Sequence, residues 1–180
     1  MLKEAIFSGF GGQGALLIGQ VLCIAATKED LNALYRPTYG FEKRGGIAFC
    51  DVIVSDEEIG SPVVEEPEVA ILMDERSFKR FEPQVRPGGA VFYNTSLIKS
   101  KPSRDDIKYY EVPCNDMAKE LGNDKVANMI LLGAYVGYTN AVAMDSIVEG
   151  LREKLGHGKE KAIPLNKKAL AAGAEIAAQK

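Results

Sequence analysis

The sequence predicts an α/β fold, a Rossmann-like open and mainly parallel sheet with helices on both faces and a helical C-terminal section. Three observations indicate this. A glycine-rich turn, GFGGQG, stands between a short apolar run and a long one. Strand-like and helix-like runs then alternate over the first two thirds of the chain. The last third contains only helix-like runs, separated by glycines or by Pro164.

Each element follows from a local pattern. Runs rich in β-branched and aromatic residues predict strands, and VAILMD at 69–74 is typical of a parallel strand buried on both faces. The predicted strands are 4–8, 31–35, 46–56, 69–74, 90–94 and 108–112. Longer amphipathic or apolar runs predict helices. The predicted helices are 15–27, a segment from 76 that breaks at Pro87, 115–122, 125–142, 145–155 and 166–180.

Length and composition limit the class of protein. The 180 residues, 46% of them apolar and 26% charged, predict one domain spanning residues 1–180. A net charge of −3 argues against nucleic-acid binding, which needs a basic face. No apolar run approaches the roughly 18–20 residues of a membrane span, and the first residues lack the pattern of a secretory signal. We therefore expect a cytoplasmic protein that binds neither membrane nor nucleic acid.

The cysteines and the single histidine do not indicate a metal site. Cys23, Cys50 and Cys114 lie far apart and form no C-x-x-C, so we expect no iron–sulfur cluster or zinc held by this chain alone. Cys23 and Cys50 are expected in the core. Cys114 stands at a predicted helix start, where a thiolate would be favoured, but we expect an inert loop thiol. His157, in GHG, is expected in an exposed turn.

The glycine loop is the first candidate site. Gly9, Gly11 and Gly14 match the G-x-G-x-x-G pattern between a strand and a helix, and Gly12 and Gln13 complete the predicted binding loop. Glycines allow close backbone approach, and the amides of the following helix favour an anion. A pyrophosphate, a carboxylate or a neighbouring chain's acidic side chain would each suit this position.

A dinucleotide also requires an acidic ribose anchor at the end of the second strand. Glu29 and Asp30 precede that strand instead of ending it. Arg36 is a candidate for an NADP phosphate, but Pro37 beside it predicts a departing loop. A free-standing NAD(P)-binding oxidoreductase or a nucleotide-binding regulator therefore stays as the alternative hypothesis, and a structural protein with a vestigial loop is a third.

The second candidate site is RPTYGFEKRGG at 36–46, which combines cations, aromatic residues and a glycine pair. It follows the second strand, so we expect it at the same sheet edge as the glycine loop. Loops of this composition favour contacts with other molecules. The alternative is a solvated connection between strands, with Gly45 and Gly46 in its turn.

Four motifs in order, GFGGQG, PTYGFEKRGG, VIVSDEEIGSPVV and LGNDKVANMILLGA, resemble the gamma subunit of 2-oxoacid:ferredoxin oxidoreductases. The resemblance covers roughly residues 3–150. The family's second motif is close to S-Y-G-x-E-x-R-G-G. Thr38 replaces the usual serine, and the remaining positions match at Tyr39, Gly40, Glu42, Arg44, Gly45 and Gly46.

The resemblance implies a reaction that no residue of this chain reveals. The holoenzyme oxidatively decarboxylates a 2-oxoacid, for which overall likeness favours 2-oxoglutarate over pyruvate or a branched-chain acid. It uses thiamine diphosphate with Mg²⁺, coenzyme A and iron–sulfur clusters that pass electrons to ferredoxin. The implied partners are alpha and beta subunits, with or without a delta subunit, which hold those cofactors. This chain would complete the assembly and be inactive alone, and a homodimer of the isolated chain stays open.

The resemblance also implies where partners bind, although it assigns no catalytic residue. Residues 9–14 and 39–46 would form one edge that faces a partner subunit or the coenzyme A path. Arg44 or Lys43 would meet a phosphate or carboxylate, and Glu42 would orient Arg44. The residues predicted at this edge are Tyr39, Gly40, Glu42, Lys43, Arg44, Gly45, Gly46 and Asn128. Asn128 is expected either to hold the edge by a side-chain hydrogen bond or to lie on a helix surface.

The acidic segment 55–68 carries no predicted element. We expect a solvated connection between two strands, interrupted by Pro62 and Pro67. The alternative is a docking strip for a basic face of a partner.

Overall fold

A computed structural model describes residues 1–40 and 46–178. Its strands are β1 (Leu2–Phe10), β2 (Asn32–Tyr39), β3 (Ile47–Ser55), β4 (Val69–Leu72), β5 (Ala90–Asn94) and β6 (Lys108–Val112). They form one sheet in the order β2-β3-β1-β4-β5-β6. The pairs β1–β4, β4–β5 and β5–β6 are parallel, whereas β3 runs antiparallel to both of its neighbours, β1 and β2. The predicted mainly parallel sheet is confirmed, with β3 as its one reversed strand among those described.

Helices cover both faces of this sheet, as predicted. They are α1 (Ala15–Lys28), α2 (Glu75–Phe81), α3 (Cys114–Glu120), α4 (Ala127–Thr139), α5 (Met144–Leu155) and α6 (Ile163–Ala178). One core layer joins the sheet to α1 and α3–α6. The other is smaller: Phe78 and Phe81 of α2 pack there with Ile6, Leu72 and Tyr93 of the sheet. The helical C-terminal section therefore lies almost entirely on one face.

The end of β2 differs from the sequence-based expectation. Pro37 predicted a departing loop, but the strand continues through it to Tyr39. Proline lacks an N–H donor and is tolerated at sheet edges, and β2 is an edge strand of the described sheet. Arg36, the candidate NADP anchor, instead pairs across the strands with Asp51 of β3, Nε to Oδ2 at 2.7 Å. The helix predicted from residue 76 is also shorter, ending at Phe81 in a 3₁₀ turn, Glu82–Gln84.

The connection between β3 and β4 forms no regular element, and its acidic side chains are mostly exposed. Glu57, Glu58, Glu65 and Glu66 are all exposed. The expected irregular connection is confirmed, and the exposure of these carboxylates fits both a solvated connection and the alternative docking strip. No helix in the described part of the chain is long and apolar enough to cross a membrane.

Helices α4 and α6 cross at close range, and this crossing depends on glycines. A Cβ atom at Gly133 would lie 2.0 Å from the carbonyl oxygen of Leu170, and one at Gly173 would lie 1.8 Å from that of Ile130. Both distances are far inside van der Waals contact. Because the opposing atoms are backbone, neither helix can accommodate a side chain without moving the other.

Gly173→Ala is therefore expected to lower the free energy of unfolding by about 1–3 kcal/mol or more. Gly60→Ala is the matched control, since a Cβ at Gly60 meets no atom within 4 Å. Chemical denaturation of the two variants beside the parent chain measures the difference. Equal stability of both variants would contradict the described crossing.

Candidate functional site

The two predicted motifs lie side by side at one edge of the sheet. β1 and β2 both run antiparallel to β3, so their carboxyl ends meet at the same edge, where Phe10 pairs with Ile47 and Tyr39 with Ala48. The backbone N–H of Gly11 donates to the carbonyl of Gly46 at 3.2 Å. The predicted adjacency of these motifs is confirmed at their described ends. Glu42, Lys43, Arg44 and Gly45 lie outside the described residues.

The side chain of Gln13 holds the glycine loop in place. Its Oε1 accepts from the backbone N–H of Phe10 at 2.9 Å, and its Nε2 donates to the carbonyl of Met73 at 3.2 Å. A Cβ atom at Gly9 would lie 2.6 Å from the same Oε1. Both polar ends of Gln13 are thus used within the protein, so any binding by the loop falls to its backbone.

Two backbone amides of the loop are available to a ligand. Gly12 and Gly14 adopt left-handed conformations, φ 105° and 85°, which glycine takes without strain. No described residue accepts a hydrogen bond from either N–H. A Cβ atom at Gly11 or Gly12 would meet nothing within 4 Å, so the space above the loop is open. With α1 beginning at Ala15, this arrangement suits an anion.

A network of neutral amides supports the loop from the next strands. The carbonyl of Met73, which follows β4, accepts from Asn94 Nδ2 at 3.0 Å as well as from Gln13. Asn94 Nδ2 also donates to Asn115 Oδ1 at 2.7 Å. Asn94 and Asn115 are site residues that were not predicted from the sequence. The available signal was an asparagine that closes an otherwise apolar strand, AVFYN.

Asn128 lies directly beneath the first turn of α1. It is 5% exposed, and its Nδ2 donates to the carbonyl of Gly14 at 3.5 Å. A Cβ atom at Gly14 would lie 2.4 Å from that nitrogen. The alternative position on a helix surface is therefore wrong. Its Oδ1 is buried and has no hydrogen-bond partner in the described part of the chain.

Among residues 1–40 and 46–178, the requirements for a dinucleotide are not met at this edge. The neighbour of β1 on this side is the antiparallel β3, so the end of β2 stands one strand further from the loop than in a dinucleotide fold. Glu29 caps the far end of α1, and its carboxylate accepts from the N–H of Ala143 at 2.7 Å. Arg36 is engaged by Asp51. None of the candidate anchors reaches the loop.

The three cysteines are free thiols and form no metal site with the other described residues. Among residues 1–40 and 46–178, no group of three or more His, Cys, Asp or Glu side chains could hold a metal ion, so these residues do not fit an iron–sulfur cluster. Cys50 is buried and Cys23 half-buried in the core, as predicted. Cys114 is fully buried and burial raises the pKa of its thiol to about 12, which agrees with the expected inert thiol and argues against a thiolate. His157 lies in an exposed turn, as predicted.

A family model described as pyruvate ferredoxin/flavodoxin oxidoreductase matches residues 4–176, which include the glycine loop, the β2–β3 connection and Asn128. The chain belongs to this family. One relative of this chain is the ketoisovalerate oxidoreductase subunit VorA of Methanothermobacter marburgensis, which is 36% identical over 94% of this chain. The chain spans only 35% of the length of that relative.

Other members of the oxidoreductase family align over most of both chains. The 2-oxoglutarate synthase subunit KorC of Methanocaldococcus jannaschii is 32% identical, over 89% of this chain and 87% of its own. The crystal structure of the keto/oxoacid ferredoxin oxidoreductase gamma subunit of Geobacter sulfurreducens PCA has 27% identity and a TM-score of 0.83, and the match covers 99% of both chains. The Rossmann-like fold of this chain is thus shared with a solved gamma subunit.

Substitutions at the two left-handed glycines separate backbone strain from the contact with Asn128. Gly12→Ala is expected to cost about 1–2 kcal/mol of unfolding free energy from its φ alone. Gly14→Ala is expected to cost about 1–3 kcal/mol more, because its new methyl group meets Asn128. In an Asn128→Ala background that excess should fall, which chemical denaturation of the single and double variants measures. An excess that persists there would rule out the described contact.

The pair of Arg36 and Asp51 yields a pH-dependent prediction. Asp51 is 1% exposed, and burial raises its pKa above 3.8 although Arg36 partly offsets this. Arg36→Met should raise that pKa further and lower the unfolding free energy by about 1–3 kcal/mol at pH 7. A carboxyl whose pKa is higher in the folded state than in the unfolded state destabilises the fold only when it is ionised. Its cost is absent at a pH below the unfolded-state pKa and is complete at a pH above the folded-state pKa. The deficit of Arg36→Met should therefore shrink when unfolding is measured at pH 4.

The control for this pair is the double variant Arg36→Met/Asp51→Asn, which removes both charges. It should be less destabilised at pH 7 than Arg36→Met, because no buried carboxylate is left without its cation. A deficit of Arg36→Met that is equal at both pH values would show that the carboxylate of Asp51 does not depend on Arg36.

Proposed function

We propose that this chain is the gamma-type subunit of a 2-oxoacid:ferredoxin oxidoreductase, in which it completes the assembly and is inactive alone. The observation that carries the proposal is the match of the oxidoreductase family model to residues 4–176. The proposed holoenzyme oxidatively decarboxylates a 2-oxoacid, forms the acyl thioester of coenzyme A and passes two electrons to ferredoxin. Our proposed 2-oxoacid is 2-oxoglutarate, with pyruvate and ketoisovalerate as the alternatives.

The cofactors of this reaction are proposed to be held by alpha and beta subunits, with or without a delta subunit. Thiamine diphosphate with Mg²⁺ would supply the decarboxylation chemistry, and iron–sulfur clusters the electron path. Two features of this chain support that division. The described residues contain no cluster of metal-ligating side chains. The polar ends of Gln13 and the side chain of Arg36 are used for internal contacts.

The sheet edge that contains the glycine loop is the proposed contact with a partner subunit. Phe10 and Tyr39, at the ends of β1 and β2, are 40% and 69% exposed. Large apolar side chains that remain exposed beside open polar backbone are typical of protein–protein contacts. There the free amides of Gly12 and Gly14 would receive an anion, either a partner's carboxylate or a phosphate of coenzyme A. Lys43 or Arg44 would supply the countercharge, with Glu42 orienting Arg44.

The first experiment is to purify the tagged chain gently, without oxygen, from its own cell. We expect stoichiometric partners with thiamine diphosphate and iron–sulfur absorbance, and reduction of ferredoxin or a viologen dye that requires both a 2-oxoacid and coenzyme A. Parallel assays with 2-oxoglutarate, pyruvate and ketoisovalerate test the proposed substrate. A chain recovered alone or as a homodimer that binds NAD(P) would overturn the proposal.

Arg44→Ala in the assembled enzyme tests the proposed role of the 39–46 motif. We expect weaker assembly or a raised KM for coenzyme A, by about tenfold for a lost charge-assisted contact. Arg152→Ala is the matched control, because Arg152 lies on α5 and pairs there with Glu149. Unchanged assembly together with an unchanged KM for coenzyme A would remove the proposed role of Arg44.

A further inference from the structure

A cavity lies away from the open side of the glycine loop, among α1, α4, α5 and α6. Its volume is about 390 Å³, within the range of small-molecule sites. Leu17, Met129, Leu151, Leu155 and Leu165 form its apolar walls. Met129 and Leu151 are buried, and the other three are half-buried. These walls would accommodate an apolar body of modest size.

The polar residues of this cavity favour an anion. Lys125 and Lys161 both line it, and no carboxylate does. Both lysines are exposed, and neither forms an ion pair with any residue that the structure describes. Asn123 also lines the cavity and uses its Oδ1 to accept from the backbone N–H of Lys125 at 3.0 Å, which leaves its amide N–H groups as donors. Apart from Asn166, whose Nδ2 donates to the carbonyl of Ala162 at 2.8 Å, the polar side thus offers donors and positive charge.

Asn128 supplies the complementary group. It lines the same cavity, and its buried Oδ1 lacks a hydrogen-bond donor among the described residues. The nearest part of its side chain to Gly14 is Nδ2, so the oxygen is the end of the amide turned away from the glycine loop. Buried acceptors are normally paired, so a bound N–H or O–H group would complete this one.

The order of these groups along the chain limits the shape of a ligand. Asn128 follows Lys125 by three residues as the 3₁₀ turn Asp124–Val126 leads into α4, so the two lie on one side of this segment. We propose that the cavity binds a small amphipathic anion. Its charged end pairs with Lys125 and Lys161, an adjacent N–H or O–H donates to Asn128, and its apolar remainder packs on the leucines.

This inference does not depend on the proposed oxidoreductase function. It uses the helical face of the sheet, whereas the proposed partner contact uses the edge with Phe10 and Tyr39. Asn128 is the residue common to both regions, with Nδ2 towards Gly14 and Oδ1 unpaired. The binding experiment below and the assembly experiment above can therefore fail independently of each other.

The test uses the full chain with whatever proteins accompany it, and N-hexanoylglycine as the probe. This compound has a carboxylate, an adjacent amide N–H and a short apolar chain. Isothermal titration calorimetry should show saturable binding. The methyl ester, which lacks the charge, and the N-methyl analogue, which lacks the donor, should each bind about tenfold more weakly or worse. Absence of saturable binding by N-hexanoylglycine, or equal binding of all three compounds, would overturn the proposal.

Variants then locate the binding. Lys125→Ala/Lys161→Ala should weaken binding of N-hexanoylglycine by about tenfold, whereas Lys167→Ala/Lys168→Ala should not, because these exposed lysines of α6 do not line the cavity. Asn128→Leu should remove the difference between N-hexanoylglycine and its N-methyl analogue. Equal weakening by both lysine pairs would show non-specific attraction, and an unchanged preference in Asn128→Leu would exclude Asn128 as the acceptor.

Discussion

The antiparallel insertion of β3 between β1 and β2 is the constraint on which the candidate site depends. Two reversals of direction bring the carboxyl end of β2 back to the edge where β1 ends, so the connection between β2 and β3 begins and ends beside the glycine loop. The same insertion displaces the strand that would carry a ribose anchor. One topological feature therefore removes the position for a dinucleotide and provides a surface for another molecule.

The loop itself is held by neutral groups. Gln13, Asn94 and Asn115 join the ends of β1, β4 and β5 through amide hydrogen bonds and the carbonyl of Met73. None of these groups carries charge, so this network adds no charge of its own to the field that α1 produces at the amides of Gly12 and Gly14. Such an edge is well suited to accept a negatively charged group from another molecule, because it holds no competing carboxylate of its own in this network.

Local patterns predicted the elements well where chain breakers bound them. β5 and β6 have the predicted limits, 90–94 and 108–112, because glycine or proline flanks their apolar runs. Pro37 misled the prediction of β2, since its effect depends on whether the strand lies at an edge, which is a property of the whole sheet. The direction of β3 and the burial of Cys114 depend on distant packing in the same way.

In the candidate site too, local features were predictable and long-range contacts were not. The glycines and their adjacency to the second motif were predictable from spacing. The contact between Asn128 and Gly14 joins residues separated by 114 positions. An amide in an apolar helix predicted that Asn128 makes a hydrogen bond, but not that Gly14 accepts it. The internal use of Gln13 was not predictable, because an amide in a glycine loop satisfies a ligand and a backbone equally well. Whether the loop, the 39–46 motif and Asn128 bind a partner or coenzyme A stays a proposal.

The glycine crossing of α4 and α6 has a consequence for how the chain is made. α4 is almost entirely apolar and buried, and much of its cover is α6, which follows it in the sequence. During synthesis, α4 leaves the ribosome before α6 has been made, so its apolar surface stays exposed until α6 emerges. Until then the nascent chain is vulnerable to aggregation or to binding by chaperones. A stalled or shortened product that lacks α6 would keep the apolar surface of α4 exposed, and quality-control proteases recognise such surfaces.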